Sequence, residues 1–256
     1  MKKITLAYAI AFTFASLGYP QQIQAESNFT RSSITESVQV GFKQPDSKGN
    51  APSGRDRGTG SRGDCPIASS GTEGKITLTP LIPSDSKGLT VEESPTIWIQ
   101  VSYNSDQIEK EITGEFSLED SETYLKVAPK QIPVTLPKTS GVFPVSIPHS
   151  LEVNKWYRWY LVFDCNSPDS SNDSVLSIEG IVQRVELPGL KSQLETQTRQ
   201  ERIAIYKDKG IWYDVLHEAA MLRCSNPENA APWRELLRDD DVKLAEIEQY
   251  KLICSD

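Results

Sequence analysis

Between Lys75 and Leu187 apolar residues alternate with polar ones in short runs separated by turn-forming residues. A period of two puts every other side chain on one face, so this stretch reads as strands with one face buried. The pattern predicts strands near Lys75–Ile82, Thr96–Tyr103, Gly114–Glu119, Thr123–Ala128, Val142–Ile147, Trp156–Asp164 and Val175–Glu186. Short strands at this spacing point to an antiparallel β-sandwich over residues 65–189. Pro80, Pro83, Pro129, Pro133, Pro137, Pro144 and Pro148 are then expected at strand ends, edges or bulges, where a missing N–H does least harm.

After Pro188 the period lengthens to that of helices, giving a small helical bundle or hairpin over residues 190–256. "LKSQLETQTRQERIAIYKDKG" ends on Gly210, a residue suited to a C-cap. "IWYDVLHEAAMLRCSNP" carries Trp212, Leu216, Ala219 and Leu222 at helical spacing before Pro227. "PWRELLRD" and "DVKLAEIEQYKLI" complete the tail, with Asp239, Asp240 and Asp241 set before the last piece, where negative charge complements a helix dipole. Such a bundle has to pack on the sandwich or on a partner.

The densest apolar segment is "KWYRWYLVFDC", residues 155–165. Alternation puts Tyr157, Trp159, Leu161, Phe163 and Cys165 on the core face, where each large side chain contributes about 1.5 to 3 kcal/mol on burial. Trp156, Arg158, Tyr160, Val162 and Asp164 fall on the opposite face, with an arginine set between two rings as cation–π stacking requires. Exposed rings beside an arginine are a binding hot spot. Trp156, Arg158 and Tyr160, together with Trp212 and Tyr213 at the helical turn, are therefore the candidate contact residues. The competing reading has the helical tail cover this face and turn all five into internal packing.

The chain ahead of the sandwich changes the picture of compartment. Lys2 and Lys3, an apolar stretch from Ile4 to Leu17 and a small-residue site at Ala25 form a secretory signal over residues 1–25. Residues 26–64 are polar and rich in Gly, Ser and Arg, a flexible leader that cannot recover its ordering entropy by burial. Arg62-Gly63-Asp64 within it is a tripeptide that adhesion receptors recognise, but it recurs by chance in such linkers. Export to the periplasm or cell surface makes disulfides the expected state of Cys65, Cys165, Cys224 and Cys254. Of the three pairings, Cys65 with Cys165 and Cys224 with Cys254 is the simplest, keeping each bridge beside its own core. The formal charge is −8, and loss of Lys2 and Lys3 takes it to −10. That sign argues against nucleic acid and anionic lipid as partners, and no segment after the signal is long and apolar enough to span a membrane.

Catalytic chemistry has little to work with. His149 and His217 are the two histidines, the first placed in a turn and the second on a helix; each reads as an ordinary surface or packing residue before it reads as a base. The carboxylate pairs Glu92/Glu93 and Glu119/Asp120 offer acid–base groups of the glycosidase kind, though acidic pairs are common at turns. Asp164, Asn166, Asp169, Asn172 and Asp173 supply hard oxygens of the sort calcium takes, without the fixed spacing of a known calcium loop. With no C-x-x-C and two histidines, no zinc site or cofactor is expected.

Two resemblances add to these readings. Leu151, Asn154 and Tyr157 in "LEVNKWYRWYLVF" resemble the corner that opens the sixth strand of immunoglobulin-like and fibronectin-type-III-like domains, which implies a fold and no function. On a larger scale "GDCP", "GLTVEESPTIWIQVSY", "LEVNKWYRWYLVFDC", "IEGIVQRVEL" and "GIWYDVLHEAAMLR", spanning roughly Arg62 to Leu237, resemble a family of secreted cyanobacterial proteins known as a domain of unknown function (DUF 928). That resemblance implies an exported, non-catalytic module and supplies no active site. The expectation is an interaction module, immunoglobulin-like in its β part, that binds another exported or envelope protein. A carbohydrate-binding module that meets polysaccharide is the first alternative, and a hydrolase with an unrecognised site the second.

Overall fold

The computed structural model describes residues 42, 76–103, 111–127, 131–164 and 175–254, which fall in one compact unit, Gln39–Asp256. Among the described residues eight strands lie in two open sheets. The first has the order β1-β3-β6, with β1 at Ile76–Pro80, β3 at Thr96–Tyr103 and β6 at Gly141–Ser146, all antiparallel. The second has the order β2-β8-β7-β4-β5, formed by Lys87–Thr90, Val175–Arg184, Trp156–Asp164, Thr113–Asp120 and Ile132–Thr135. Four helices follow: α1 at Leu190–Glu195, α2 at Arg199–Asp208, α3 at Trp212–Ser225 and α4 at Ala231–Leu237, then a 3-10 turn at Ala245–Gln249.

The fold is therefore mixed α and β. It departs from the purely antiparallel, immunoglobulin-like sandwich expected above, because β2 runs parallel to β8 and caps one edge of the larger sheet. β2 and β5 are four-residue edge strands containing Gly88 and Pro133, too short and too irregular to show a period. Conversely, Thr123–Ala128 is not a strand over its described part. Asp120 accepts the N–H groups of Glu122 and Thr123 on its Oδ1 at 2.8 and 2.9 Å, which turns the chain there and leaves one isolated bridge, Glu119 to Lys126. Pro80, Pro133 and Pro144 do lie on edge strands.

Leu151, Asn154 and Tyr157 do form a corner ahead of β7. Leu151 is buried, Asn154 adopts the left-handed region at φ 64°, and the Tyr157 hydroxyl accepts the Glu152 N–H at 3.2 Å. Along β7, Tyr157, Trp159, Leu161 and Phe163 all turn into the core, as their alternation requires.

The helical run from Leu190 to Gly210 is two helices. Thr198 and Glu201 form a capping box that starts α2, each side chain meeting the other residue's backbone N–H. Gly210, at φ 66°, ends it: the Ile211 N–H donates to the Tyr206 carbonyl at 2.9 Å and the Gly210 N–H to that of Lys207 at 3.2 Å, a Schellman arrangement. The expected last helix is a 3-10 turn followed by a short extended tail, because Leu252 bridges Val142 on the free edge of β6. Asp239–Asp241 thus build a turn rather than a helix N-terminus, and Asp239 accepts the N–H of Phe42 at 2.6 Å. Phe42, from the segment read as leader, is buried edge-on against Trp212 at 5.1 Å.

Cys224 at the end of α3 is bonded to Cys254 in the tail, with Cα atoms 6.0 Å apart, as the simplest pairing predicts. Cys65, Cys165, the signal segment, the rest of the leader with Arg62-Gly63-Asp64, and Asn166, Asp169, Asn172 and Asp173 of the calcium candidate lie outside the described residues.

Candidate functional site

The site is built on α3, and its first turn fixes that helix to both sheets. Trp212 and Tyr213 are fully buried. The Trp212 Nε1 donates to the Leu81 carbonyl at 3.0 Å. The Trp159 Nε1 donates to the Tyr213 hydroxyl at 2.9 Å, and that hydroxyl donates to the Ile181 carbonyl at 3.1 Å. "YRWY" and "GIWYD" therefore meet in one hydrogen-bonded chain. Close approach is needed on both sides: a Cβ on Gly180 would lie 2.4 Å from the Trp159 ring, and one on Gly88 would lie 2.6 Å from Tyr213.

These contacts correct the contact-surface reading. Trp156, Trp212 and Tyr213 are 4%, 0% and 1% exposed, so none of the three offers a ring to a partner. Alternation says which way Trp156 faces but not whether that face is covered, and its burial shows that it is. Arg158 and Tyr160 are half-buried, and Arg158 does not stack between rings: it pairs with Glu179 on β8 at 3.2 Å.

Farther along α3, Asp214, His217 and Glu218 share one face by the i, i+3, i+4 rule. That face meets the β2–β3 connection and Tyr206 of α2, lining a half-open cavity of about 290 Å³ that Glu92, Ser94, Pro95 and Thr96 also line. Asp214 is 5% exposed. Its Oδ2 accepts the Val91 N–H at 3.3 Å, the Thr90 hydroxyl also bonds the carboxylate, and Oδ1 has no partner. Among the described residues it is the only carboxylate oxygen buried without a partner. Burial pushes this carboxyl up to about 7; the Thr90 hydrogen bond opposes the rise and the Glu92 charge adds to it.

His217 is half-buried with its Nδ1 unpaired, its ring 6.2 Å from that of Trp98, and burial lowers its pKa. Glu218 is held by Arg199 at 2.6 Å and Arg202 at 2.9 Å. The Tyr206 hydroxyl is pushed up, first by burial and then by the charges of Asp214, Glu92 and Glu218. The three carboxylates thus act on one volume.

A larger, open groove of about 830 Å³ continues from this cavity, sharing Glu92 and Ser94 and running past Val153, Arg184, Leu187 and Leu190. Arg184 is fixed there by Glu93 at 3.0 Å and by the Leu151 carbonyl at 3.0 Å. The pair Glu92/Glu93 is therefore split: Glu93 belongs to an ion pair, while Glu92 faces the cavity. Of Glu119/Asp120, Asp120 is structural. Lys155 at 2.8 Å and two backbone N–H groups hold its carboxyl down to about 2. His149 does not line the cavity, and its carbonyl accepts the Ser94 hydroxyl at 3.4 Å. Sequence reasoning reached His217 and Glu92 but missed Asp214. The signal was available as an acidic residue inside the apolar first turn of "WYDVLHEAA", with His217 and Glu218 one turn on.

Among the described residues no helix is long and apolar enough to cross a membrane. The family model described as Domain of Unknown Function (DUF928) matches residues 57–252, most of the chain. No curated protein matches it.

Proposed function

The chain belongs to the DUF928 family, and from that premise we propose that it is an exported, non-catalytic binding module of the periplasm or cell surface. Its contact site is the cleft between the β2–β3 connection and α3, not the aromatic strand β7. The observation that carries this reading is the unpaired Oδ1 of buried Asp214. A buried polar atom without a partner costs about 1 to 3 kcal/mol, and a bound group that supplies the missing hydrogen bond removes that cost. Perturbed titratable groups gathered in a cleft mark sites of this kind.

Binding is favoured over hydrolysis because the Ser94 hydroxyl of the lining is committed to the His149 carbonyl rather than to a base that would activate it. It is favoured over sugar stacking because Trp156, the ring that the carbohydrate alternative needs, is buried. The open groove beyond Glu92 suits an extended segment of another exported protein. Export itself rests on the Lys2–Lys3 start and the apolar stretch after it. Mass spectrometry of the chain from its host tests export: a mature N-terminus near Glu26 supports it, and an intact residue 1 on the recovered chain removes it.

The binding reading is tested by screening a small-molecule fragment library against the full, oxidised chain with amide chemical shifts as readout. Binders are expected to perturb Glu92–Thr96 and Asp214–Glu218 together. A screen whose binders all map to the Arg158–Tyr160 face, or that yields no binder at all, retires the cleft.

A further inference from the structure

We propose that the cavity at Asp214 recognises a protonated amine, an organic ammonium group on the ligand or partner segment. This inference rests on the binding reading above and gives it a ligand class. The charges around the cavity come from three elements. Glu92 stands at the rim on the β2–β3 connection and has no ion-pair partner among the described residues. Asp214 and Glu218 come from α3, and α2 brings Arg199 and Arg202, both spent on Glu218. With Asp214 ionised, the three carboxylates Glu92, Asp214 and Glu218 stand against two guanidiniums, an excess of one negative charge, and at the Tyr206 hydroxyl the three carboxylates outnumber the opposing Arg202.

An anionic ligand would face Glu92 and would force Asp214 to stay protonated. A neutral one would leave the negative charge uncompensated. A bare metal ion needs several ligands at once, and among the described residues no three His, Cys, Asp or Glu side chains stand close enough to hold one. An ammonium group needs less. It donates to the free Oδ1 of Asp214, and its alkyl part can rest on Tyr206, Tyr213 and Pro95, which line the same space. The imidazole of His217, kept neutral by burial, adds no opposing charge.

An ammonium ion binds the ionised form of Asp214, so uptake is coupled to loss of a proton there. With that carboxyl titrating at about 7, the competent fraction rises about tenfold between pH 6 and pH 8, and apparent affinity should rise by about the same factor.

The test uses the full chain, with n-butylammonium chloride as the probe and sodium butyrate, n-butanol and calcium chloride as comparators at matched ionic strength. Binding is followed by the amide shifts of Glu92–Thr96 and Asp214–Glu218. Support is saturable binding of n-butylammonium, about tenfold tighter at pH 8 than at pH 6, with Asp214→Asn losing the pH dependence. Glu92→Gln, at an exposed position that leaves the core untouched, should weaken it several-fold. Saturation of the same residues by butyrate, butanol or calcium, but not by n-butylammonium, overturns the amine while leaving the cleft as a binding site. No perturbation of those residues by any of the four overturns the amine. The cleft then stands or falls on the fragment screen alone.

Discussion

Two faces of one helix make opposite use of their polar atoms. Trp212 and Tyr213 at the start of α3 go into the sheets and both of their side-chain polar atoms find partners: the indole reaches Leu81, and the phenol both accepts from Trp159 and donates to Ile181. At Asp214 and His217, on the face toward α2 and the β2–β3 connection, Oδ1 and Nδ1 are left unpaired beside a cavity. Packing demands satisfy the first face, because an orphaned group there would be a pure loss. The second face leaves a carboxylate oxygen and a ring nitrogen unpaired, and the proposed binding site rests on that difference. Orphaned atoms also occur on the indoles of Trp98, Trp156 and Trp233, on Gln100 and Ser121, and on Arg223 at the far end of α3; Asp214 differs from them as an ionisable acceptor on a residue that lines the cavity.

The comparison breaks first at its packed face. Trp159→Ala removes one of the two indoles of β7 and the donor to Tyr213, and should lower unfolding free energy by about 3 to 5 kcal/mol in urea titration. A loss under 1 kcal/mol would mean that α3 is not held there. The far end of α3 is tied covalently instead. Replacing Cys224 and Cys254 together by serine frees a loop closed over a sequence separation of 30; the chain-entropy model gives about 3 to 4 kcal/mol, readable as the difference between oxidised and mutant chains under the same denaturant. The variant should also deprotect the backbone of residues 251–253 in hydrogen exchange, since the Val142 N–H and Ile253 N–H bonds cross between tail and β6.

The open face predicts the reverse sign. The folded carboxyl of Asp214 titrates at about 7, above its ordinary value of 3.8, so between those pH values the native state holds a proton that the unfolded chain has lost. Stability should fall as pH rises through that window, by at most about 1.4 kcal/mol per unit. Asp214→Asn should flatten the fall and leave the variant about 2 to 4 kcal/mol more stable than the parent at pH 8, with little difference near pH 4. Thermal unfolding across that range checks it, and a variant that is less stable at pH 8 would place Asp214 among the structural residues. The smallest effect sharpens the packed face: Tyr213→Phe keeps the ring and removes the hydroxyl, orphaning the Trp159 indole for a loss of about 1 to 2 kcal/mol that does not vary with pH.

Much of the local structure could be read directly. Thr96–Tyr103 and Trp156–Asp164 have the predicted ends because long β-branched and aromatic runs favour the extended conformation. Gly210 ends α2 because it tolerates a positive φ there. The break at Thr198 was also present in the sequence, as a threonine followed three residues later by Glu201, but a helical period running through it masks the cap. β2 and β5 were not legible, since four residues with a glycine or a proline become strands only when β8 and β4 offer them an edge.

The division between the two levels follows from range. Alternation, caps and turn residues act over a few neighbours, so the chain alone determined which faces of β7 differ and where α2 stops, while it left three cysteine pairings open. Whether a face is covered depends on what arrives from far along the chain. Trp212 and Tyr213 became interior only because Leu81, Trp159 and Ile181 meet them across long separations, and Asp214 became a half-satisfied acid only because Thr90 and Val91 were brought against it while Glu92 was left at the rim. Burial and electrostatic environment are sums over such distant neighbours, and those sums exist only once the fold has formed.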